Sequence, residues 1–280
     1  MTLSPKTVHA DTASPFPVGE HVCRVVSNEA VNDQYRLMEL AAPAPALTAE
    51  PGQFFHLLCP QAGADAPFFR RPMSIYRIDR VQGRLGFLYK ETGSGTRAMA
   101  TLRPGDDFNI VGPLGIGFSL PPDRAPIVLL ARGVGLATLA PLAQAAAAAG
   151  NPVTALFSAR DPAYLMSLDY MADQGAEVLT VTDSEGTSDP EQVERRLREL
   201  HAAGRMEAIY TCGSNRLMLL AQRLANTFAI RGEVAMEQQM ACGLGMCFCC
   251  VRAFRTAEGI EHRRVCNEGP VFDLKEALSW

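Results

Sequence analysis

The chain has 280 residues, of which 48% are hydrophobic and 20% charged, with a formal net charge of −4. That is room for more than one globular domain, and no run of Lys or Arg exceeds two residues, which excludes a generic nucleic-acid binder. The most apolar stretch, Ala125 to Gly150, is broken by Arg132, Gly133, Gly135, Pro141 and Gln144, so it reads as strand, turn and buried helix rather than as a membrane span. Residues 1–20 hold one Lys and no apolar core, so neither a signal peptide nor an anchor is expected and the protein is placed in the cytoplasm.

Up to residue 118 the pattern is of short strands and turns. Val22–Val26, Tyr35–Leu40, Phe54–Cys59, Met73–Ile78, Leu85–Lys90 and Phe108–Val111 are apolar or alternating runs. Turn signals at Pro51-Gly52, Gln82-Gly83 and Arg103-Pro104-Gly105-Asp106 separate several of them, and strands at this spacing predict a small antiparallel barrel. Pro121-Pro122 marks a boundary. Beyond it, strands at Ile127–Leu130, Val153–Phe157, Glu177–Val181, Ile209–Cys212 and Glu233–Met236 alternate with helices. The helices are expected over Leu136–Ala149, from the second strand through Asp169, over Asp189–Ala203 and over Asn215–Phe228. Such alternation predicts a parallel sheet with crossover helices. From Glu237 onward little regular pattern remains, and so short a segment needs something besides an apolar core.

The eight cysteines are distributed badly for a disulfide framework. Cys23, Cys59 and Cys212 are scattered, the first two on apolar strands where they read as core. Cys242, Cys247 and Cys250 have the spacing C-x4-C-x2-C, and Cys266 follows after fifteen residues. This is the plant-type [2Fe–2S] arrangement, in which a loop wraps one side of a cluster and a distant thiolate closes it. Gly243 and Gly245 suit a chain that must curl closely around inorganic sulfur and aim N–H groups at it. Structural zinc is the competing reading, but zinc modules usually pair their cysteines in short couples. Cys249, inside the loop, is read as packing, although it could replace a neighbouring ligand.

Arg71-Pro72-Met73-Ser74 opens one strand and Leu88-Tyr89-Lys90 closes the next, with Gly93-Ser94-Gly95-Thr96 starting a helix. An Arg beside exposed backbone and a Ser suits a phosphate and a flavin edge, and Gly95-Thr96 could meet a pyrophosphate with backbone N–H groups. Each is weak alone; their order ahead of a nucleotide-type domain strengthens them. The nucleotide turn itself reads Ala131-Arg132-Gly133-Val134-Gly135.

Over nearly its whole length the chain resembles the ferredoxin-reductase superfamily, and within it the electron-transfer subunits of class B dihydroorotate dehydrogenase. Arg70-Arg71-Pro72-Met73-Ser74, Leu88-Tyr89-Lys90 and Gly95-Thr96 match the family's FAD contacts, and Thr211-Cys212-Gly213 matches the strand end beside the nicotinamide. Met240-Ala241-Cys242-Gly243-Leu244-Gly245, with Cys247, Cys250 and Val265-Cys266-Asn267-Glu268-Gly269-Pro270-Val271-Phe272, matches the cluster segment and is the most specific part.

The resemblance implies a multidomain α+β fold: an antiparallel β-barrel FAD domain over 1–120, an α/β parallel-sheet NAD(P) domain over 121–236 and a small C-terminal [2Fe–2S] domain over 237–280. It implies FAD, a [2Fe–2S] cluster and NAD(H) or NADP(H) as cofactors. Arg71, Pro72, Met73, Ser74, Leu88, Tyr89, Lys90, Gly95 and Thr96 would hold FAD. Gly133, Val134, Gly135 and Cys212 would meet the nucleotide, and Cys242, Cys247, Cys250 and Cys266 would ligate the cluster. No general acid or base is required of the chain, because flavin mediates between hydride and single-electron steps.

The implied partner is an FMN-containing subunit that oxidises dihydroorotate, in a heterotetramer. A reductase subunit for a ferredoxin or sulfite reductase system, and a non-catalytic cluster-binding sensor, are the alternatives. Two departures bear on the nucleotide: Arg132 stands where the family turn is usually glycine-rich, and Thr182-Asp183-Ser184-Glu185-Gly186 replaces another glycine-rich stretch. Asp183 and Glu185 favour NAD, whereas Arg160 favours NADP.

Overall fold

The computed structural model describes residues 18–61 and 66–279. The reading of the N-terminus as neither signal nor anchor lies, for residues 1–17, outside the described residues. Among those described, no helix is long and apolar enough to cross a membrane.

The N-terminal strands are β1 (Gly19–Ala30), β2 (Tyr35–Ala41), β3 (Phe54–Leu57), β4 (Arg71–Ser74), β5 (Arg77–Asp79), β6 (Arg84–Lys90) and β7 (Asp107–Leu114), with helix α1 (Ser94–Ala100) between the last two. They form one antiparallel sheet in the order β4-β3-β7-β1-β2-β6-β5. The expected strand Met73–Ile78 is thus two strands, consecutive in the chain yet at opposite edges of the sheet. Ile75 N–H donates to Gln53 O and Tyr76 N–H to Gly86 O, so the chain passes from one edge to the other at this step. An alternation count cannot reveal a strand that changes partners midway. Met38, Leu40, Phe55, Leu57, Ile75, Leu85, Phe87 and Ile110 fill the interior.

The second sheet follows: β8 (Ile127–Arg132), α2 (Gly135–Ala149), β9 (Val153–Ala159), α3 (Leu168–Asp173), β10 (Glu177–Thr182), α4 (Pro190–Ala202), β11 (Ala208–Cys212), α5 (Asn215–Thr227) and β12 (Arg231–Ala235). The five strands are parallel, in the order β10-β9-β8-β11-β12. β9 and β11 are buried along their whole length, as a sheet covered on both faces requires. On α4, Val193, Leu197 and Leu200 form the buried stripe. The helix expected to run from the second strand through Asp169 is not there. Asp161 precedes Pro162, which disfavours helical backbone before it, and the six-residue α3 begins only at Leu168.

Strand order reverses between β8 and β11. Ligands of open parallel sheets bind in the crevice beyond the strand C-termini at such a point. Here it is bounded by the Gly133–Gly135 turn and Cys212-Gly213.

The C-terminal segment is more regular than its sequence suggests. β13 (Val251–Thr256) and β14 (Gly259–Arg264) pair as a hairpin, and β15 (Val271–Asp273) adds antiparallel to β12. Arg252, Arg255, Glu261 and Arg263 interrupt any apolar alternation in the hairpin, which explains why the pattern was faint. Ile116, just after β7, bridges Pro270, so this segment also meets the chain where it leaves the antiparallel sheet. Cys250, Val265, Cys266 and Phe272 pack in the same core as Val128, Ile209 and Leu217.

Candidate functional site

One cleft of about 900 Å³ lies where the three parts meet. Its first wall comes from the antiparallel sheet: Arg71, Pro72, Met73 and Ser74 of β4, Leu88, Tyr89 and Lys90 of β6, and Thr96 of α1. Every residue expected to hold flavin except Gly95 lines it. Gly95 is one step away, because a Cβ there would fall 2.7 Å from Arg71 Nε. Arg71 itself donates to Phe69 O at 2.5 Å. Tyr89 is almost fully buried and donates its hydroxyl to Asn28 Oδ1 at 2.9 Å, so its phenol is committed to the core. Asn28 also donates to Met99 O (2.9 Å) and Leu102 O (3.1 Å) just beyond α1, tying that helix to β6. Thr96 Oγ1 accepts from the N–H groups of Thr92 and Gly93, which pins the turn before α1.

The second wall is the switch point of the parallel sheet, represented by Val134, Ala137 and Thr138. Gly133 and Gly135 shape the turn behind it. A Cβ on Gly135 would lie 2.4 Å from Cys212 O, and one on Gly213 2.4 Å from Arg132 O, so the two strand ends are pressed backbone to backbone. Glycine is required at both positions. Cys212 does not line the cleft: it is buried behind Thr138, with its Sγ 3.6 Å from Thr138 Oγ1. Burial pushes its thiol far up, and the nearby Glu237 carboxyl adds to the effect. Arg132 points sideways along the strand ends, donating to Ser158 Oγ at 2.7 Å and to both oxygens of Asp183.

The third wall is the segment Glu237–Ala241 with Cys249 and Pro270. Nothing in the sequence singled out Glu237, which stands in an undistinguished run before the cluster motif. Solvent reaches it through the cleft, yet the surrounding walls push its carboxyl upward from the ordinary range. Cys249 is exposed and borders the cleft, so its reading as a packing residue is corrected.

The four candidate cluster cysteines lie as two neighbouring pairs, Cys242 with Cys247 and Cys250 with Cys266, although among the described residues no three such side chains are gathered as a ready-made metal site. Cys250 and Cys266 are buried, Cys242 is half-buried and Cys247 is exposed. Backbone donors already face the sulfurs: Leu244 N–H to Cys242 Sγ (3.3 Å), Gly245 N–H to Cys266 Sγ (3.2 Å) and Cys266 N–H to Cys250 Sγ (3.4 Å). Burial works to raise the Cys242 thiol, but N–H groups of Leu244, Cys247 and Met246 outweigh it and hold it at about 7. Burial beside Cys250 pushes Cys266 up to about 12. A donor set of four thiols with N–H groups aimed at them fits a [2Fe–2S] cluster, whose sulfurs accept such bonds. Gly243, at φ +69°, carries the loop over His56: a side chain there would come within 2.7 Å of its Nε2.

Residues 237–277 match the model of the iron–sulfur cluster binding domain of dihydroorotate dehydrogenase B. The electron transfer subunit of dihydroorotate dehydrogenase B (NAD(+)) from Desulforamulus reducens is 35% identical over 236 residues, covering 84% of this chain and 89% of its own. The chain belongs to this family of electron-transfer subunits. The Bacillus caldolyticus subunit is 30% identical over 267 residues, covering 93% of this chain and 99% of its own. Among solved structures, that of NADH-dependent reduced ferredoxin-NADP oxidoreductase aligns with a TM-score of 0.76 at 23% identity, over 91% of this chain and 89% of the other. A ferredoxin reductase of carbazole 1,9a-dioxygenase aligns with a TM-score of 0.60 at 19% identity, over 78% and 68%. These two establish a ferredoxin-reductase-like fold. Family membership makes the chain an oxidoreductase electron-transfer subunit, with FAD, [2Fe–2S] and NAD as the family's redox groups.

Proposed function

We propose that this chain passes electrons between an FMN-containing subunit that oxidises dihydroorotate and NAD, through a cluster held by Cys242, Cys247, Cys250 and Cys266 and through FAD seated in the cleft. The observation that carries this reading is the cleft itself. Its walls come from the antiparallel sheet, the switch point of the parallel sheet and the cluster segment, so one flavin there would border both a nucleotide and the cluster. Residues 1–120, 121–236 and 237–280 are assigned to FAD, nucleotide and cluster respectively.

When bound, the flavin accepts or gives a hydride on the nucleotide side and single electrons on the cluster side. The residues of the chain bind and orient. Arg71 and Lys90 supply positive charge at the rim of the flavin site, with Gly95 and Thr96 at the start of α1 beside Arg71. Met73 and Ser74 offer edge contacts, and Leu88 and Tyr89 a rigid floor. The Gly133–Gly135 turn allows close approach of a dinucleotide at the start of α2. Thr138 separates Cys212 from the cleft, so the thiol would act on the nicotinamide pocket through Thr138 and not by direct contact.

Leu244, Met246 and Phe248 are exposed on the cluster loop beside Cys247. An apolar surface surrounding the outermost ligand suits docking of a partner that exchanges electrons with the cluster. A heterotetramer in the cytoplasm follows from the same reading. The test is reconstitution: the purified chain, mixed with an FMN-containing dihydroorotate-oxidising subunit, should confer dihydroorotate-dependent reduction of NAD. No NAD reduction by a complex that forms with all cofactors present would refute it.

A further inference from the structure

His56 is the buried polar residue of the antiparallel sheet that the proposed electron path leaves unexplained. It lies on β3 between Pro72 of β4 and Val111 of β7, 1% exposed, in a row where Phe54, Phe55 and Leu57 are apolar. Its Nε2 is inaccessible to solvent and has no hydrogen-bond partner among the described residues. Leaving such an atom unsatisfied costs stability that an apolar side chain at this position would not lose. The ring edge carrying Nε2 faces Gly243, the residue after the first cluster cysteine, and nothing intervenes: a Cβ on Gly243 would sit 2.7 Å from Nε2 and 2.9 Å from Cδ2 and Cε1. The cationic neighbour is Arg70, whose guanidinium pairs with Glu20 and reaches His56 only through its backbone oxygen, at 3.4 Å.

We propose that His56 is a positioning residue for the iron–sulfur cluster, its Nε2–H kept for a sulfur acceptor that arrives with the bound cluster. The proposal rests on the assignment of the four cysteines as cluster ligands. A donor to cluster sulfur stabilises the reduced, more negative state and so raises the reduction potential, while also fixing the loop against the sheet.

The experiment uses the full-length protein with its cofactors, carrying 15N-histidine and reduced with dithionite. Pulsed EPR of the cluster signal should reveal a weak histidine nitrogen coupling in the wild type, lost in His56→Leu. The midpoint potential should fall in His56→Leu and recover in part in His56→Gln, whose amide can still donate. A normal wild-type cluster signal without any histidine coupling would overturn the proposal, and so would an unchanged potential in a folded His56→Leu. The wild-type spectrum decides even where a variant folds poorly. Absence of any cluster signal after reconstitution would instead remove the ligand assignment, and the proposal with it.

Discussion

Arg132 and Asp183 form a two-pronged ion pair across the ends of β8 and β10, with Nη1–Oδ1 at 3.1 Å and Nη2–Oδ2 at 2.6 Å. The pair spans the edge of the crevice in which parallel sheets hold nucleotides. Asp183 also accepts a hydrogen bond from Ser188, and these bonds, that from Arg132 foremost, hold its carboxyl down at about 2. A depressed acid contributes stability above its unfolded value and loses it as pH falls through about 2. Asp183 therefore stays ionised between pH 5 and 9, and being partly exposed the pair contributes under about 1 kcal/mol to folding.

Its consequence should be in nucleotide choice. While Asp183 occupies the guanidinium fork, Arg132 is not free to meet a 2′-phosphate. Asp183→Ala should raise the ratio of kcat/KM for NADPH to that for NADH about tenfold, equivalent to about 1.4 kcal/mol. Arg132→Gly should produce no such rise. Equal ratios in wild type and Asp183→Ala would remove the pair from any part in specificity.

The cysteines make a sharper set. Serine at position 242, 247, 250 or 266 should abolish the cluster absorbance and EPR signal, whereas Cys249→Ser should retain both. Loss of the cluster in Cys249→Ser would reassign the ligands. The exposed position of Cys249 at the cleft suggests a milder effect there, a change in flavin retention measurable by its absorbance.

Acid should weaken the fold through His56. Burial, aided by the charge of Arg70, lowers its imidazole to about 4. The neutral ring is favoured in the folded protein, so this stability is present above the unfolded value near 6.5 and is lost as pH falls toward 4. The loss should grow as pH falls from 7 to 5, visible in the urea midpoint of the protein without its cluster. His56→Gln should flatten that slope; an equal slope in wild type and variant would contradict it.

Asn28 is the buried link between β6 and α1. Asn28→Leu would take the shared partner from the Tyr89 hydroxyl and the Leu102 carbonyl, a cost of about 1–3 kcal/mol, while Met99 O keeps the Leu102 N–H. Alongside a lower Tm, the variant should release FAD more readily on dilution, since Thr96 and Gly95 ride on α1. A variant with normal FAD retention would show that the link is purely structural.

Much of this organisation was legible in the sequence because the signals were local. The C-x4-C-x2-C spacing is a candidate ligand set written within nine residues, and the family model matches the segment that carries it. Strand β8 is a continuous apolar run over Ile127–Ala131, of the kind a doubly covered sheet tolerates. What escaped was nonlocal. The division of 71–79 between two sheet edges depends on partners at Gln53 and Gly86. Glu237 and His56 matter only through neighbours far away in the chain, respectively the Cys212 thiol and Gly243. Arg132 was recognised as a departure, but its partner Asp183, fifty-one residues away, could not be assigned from spacing. Before α3 the chain is irregular because Pro162 bars helix at the residue ahead of it, a local signal that the expected helix through Asp169 passes over.

The central claim is that nucleotide, flavin and cluster form one path through this chain. An anaerobic visible spectrum of the purified, cofactor-loaded protein, titrated with NADH, tests it most directly. Flavin and cluster bands should bleach together as NADH is added. Both bands present but unchanged by NADH would contradict the path.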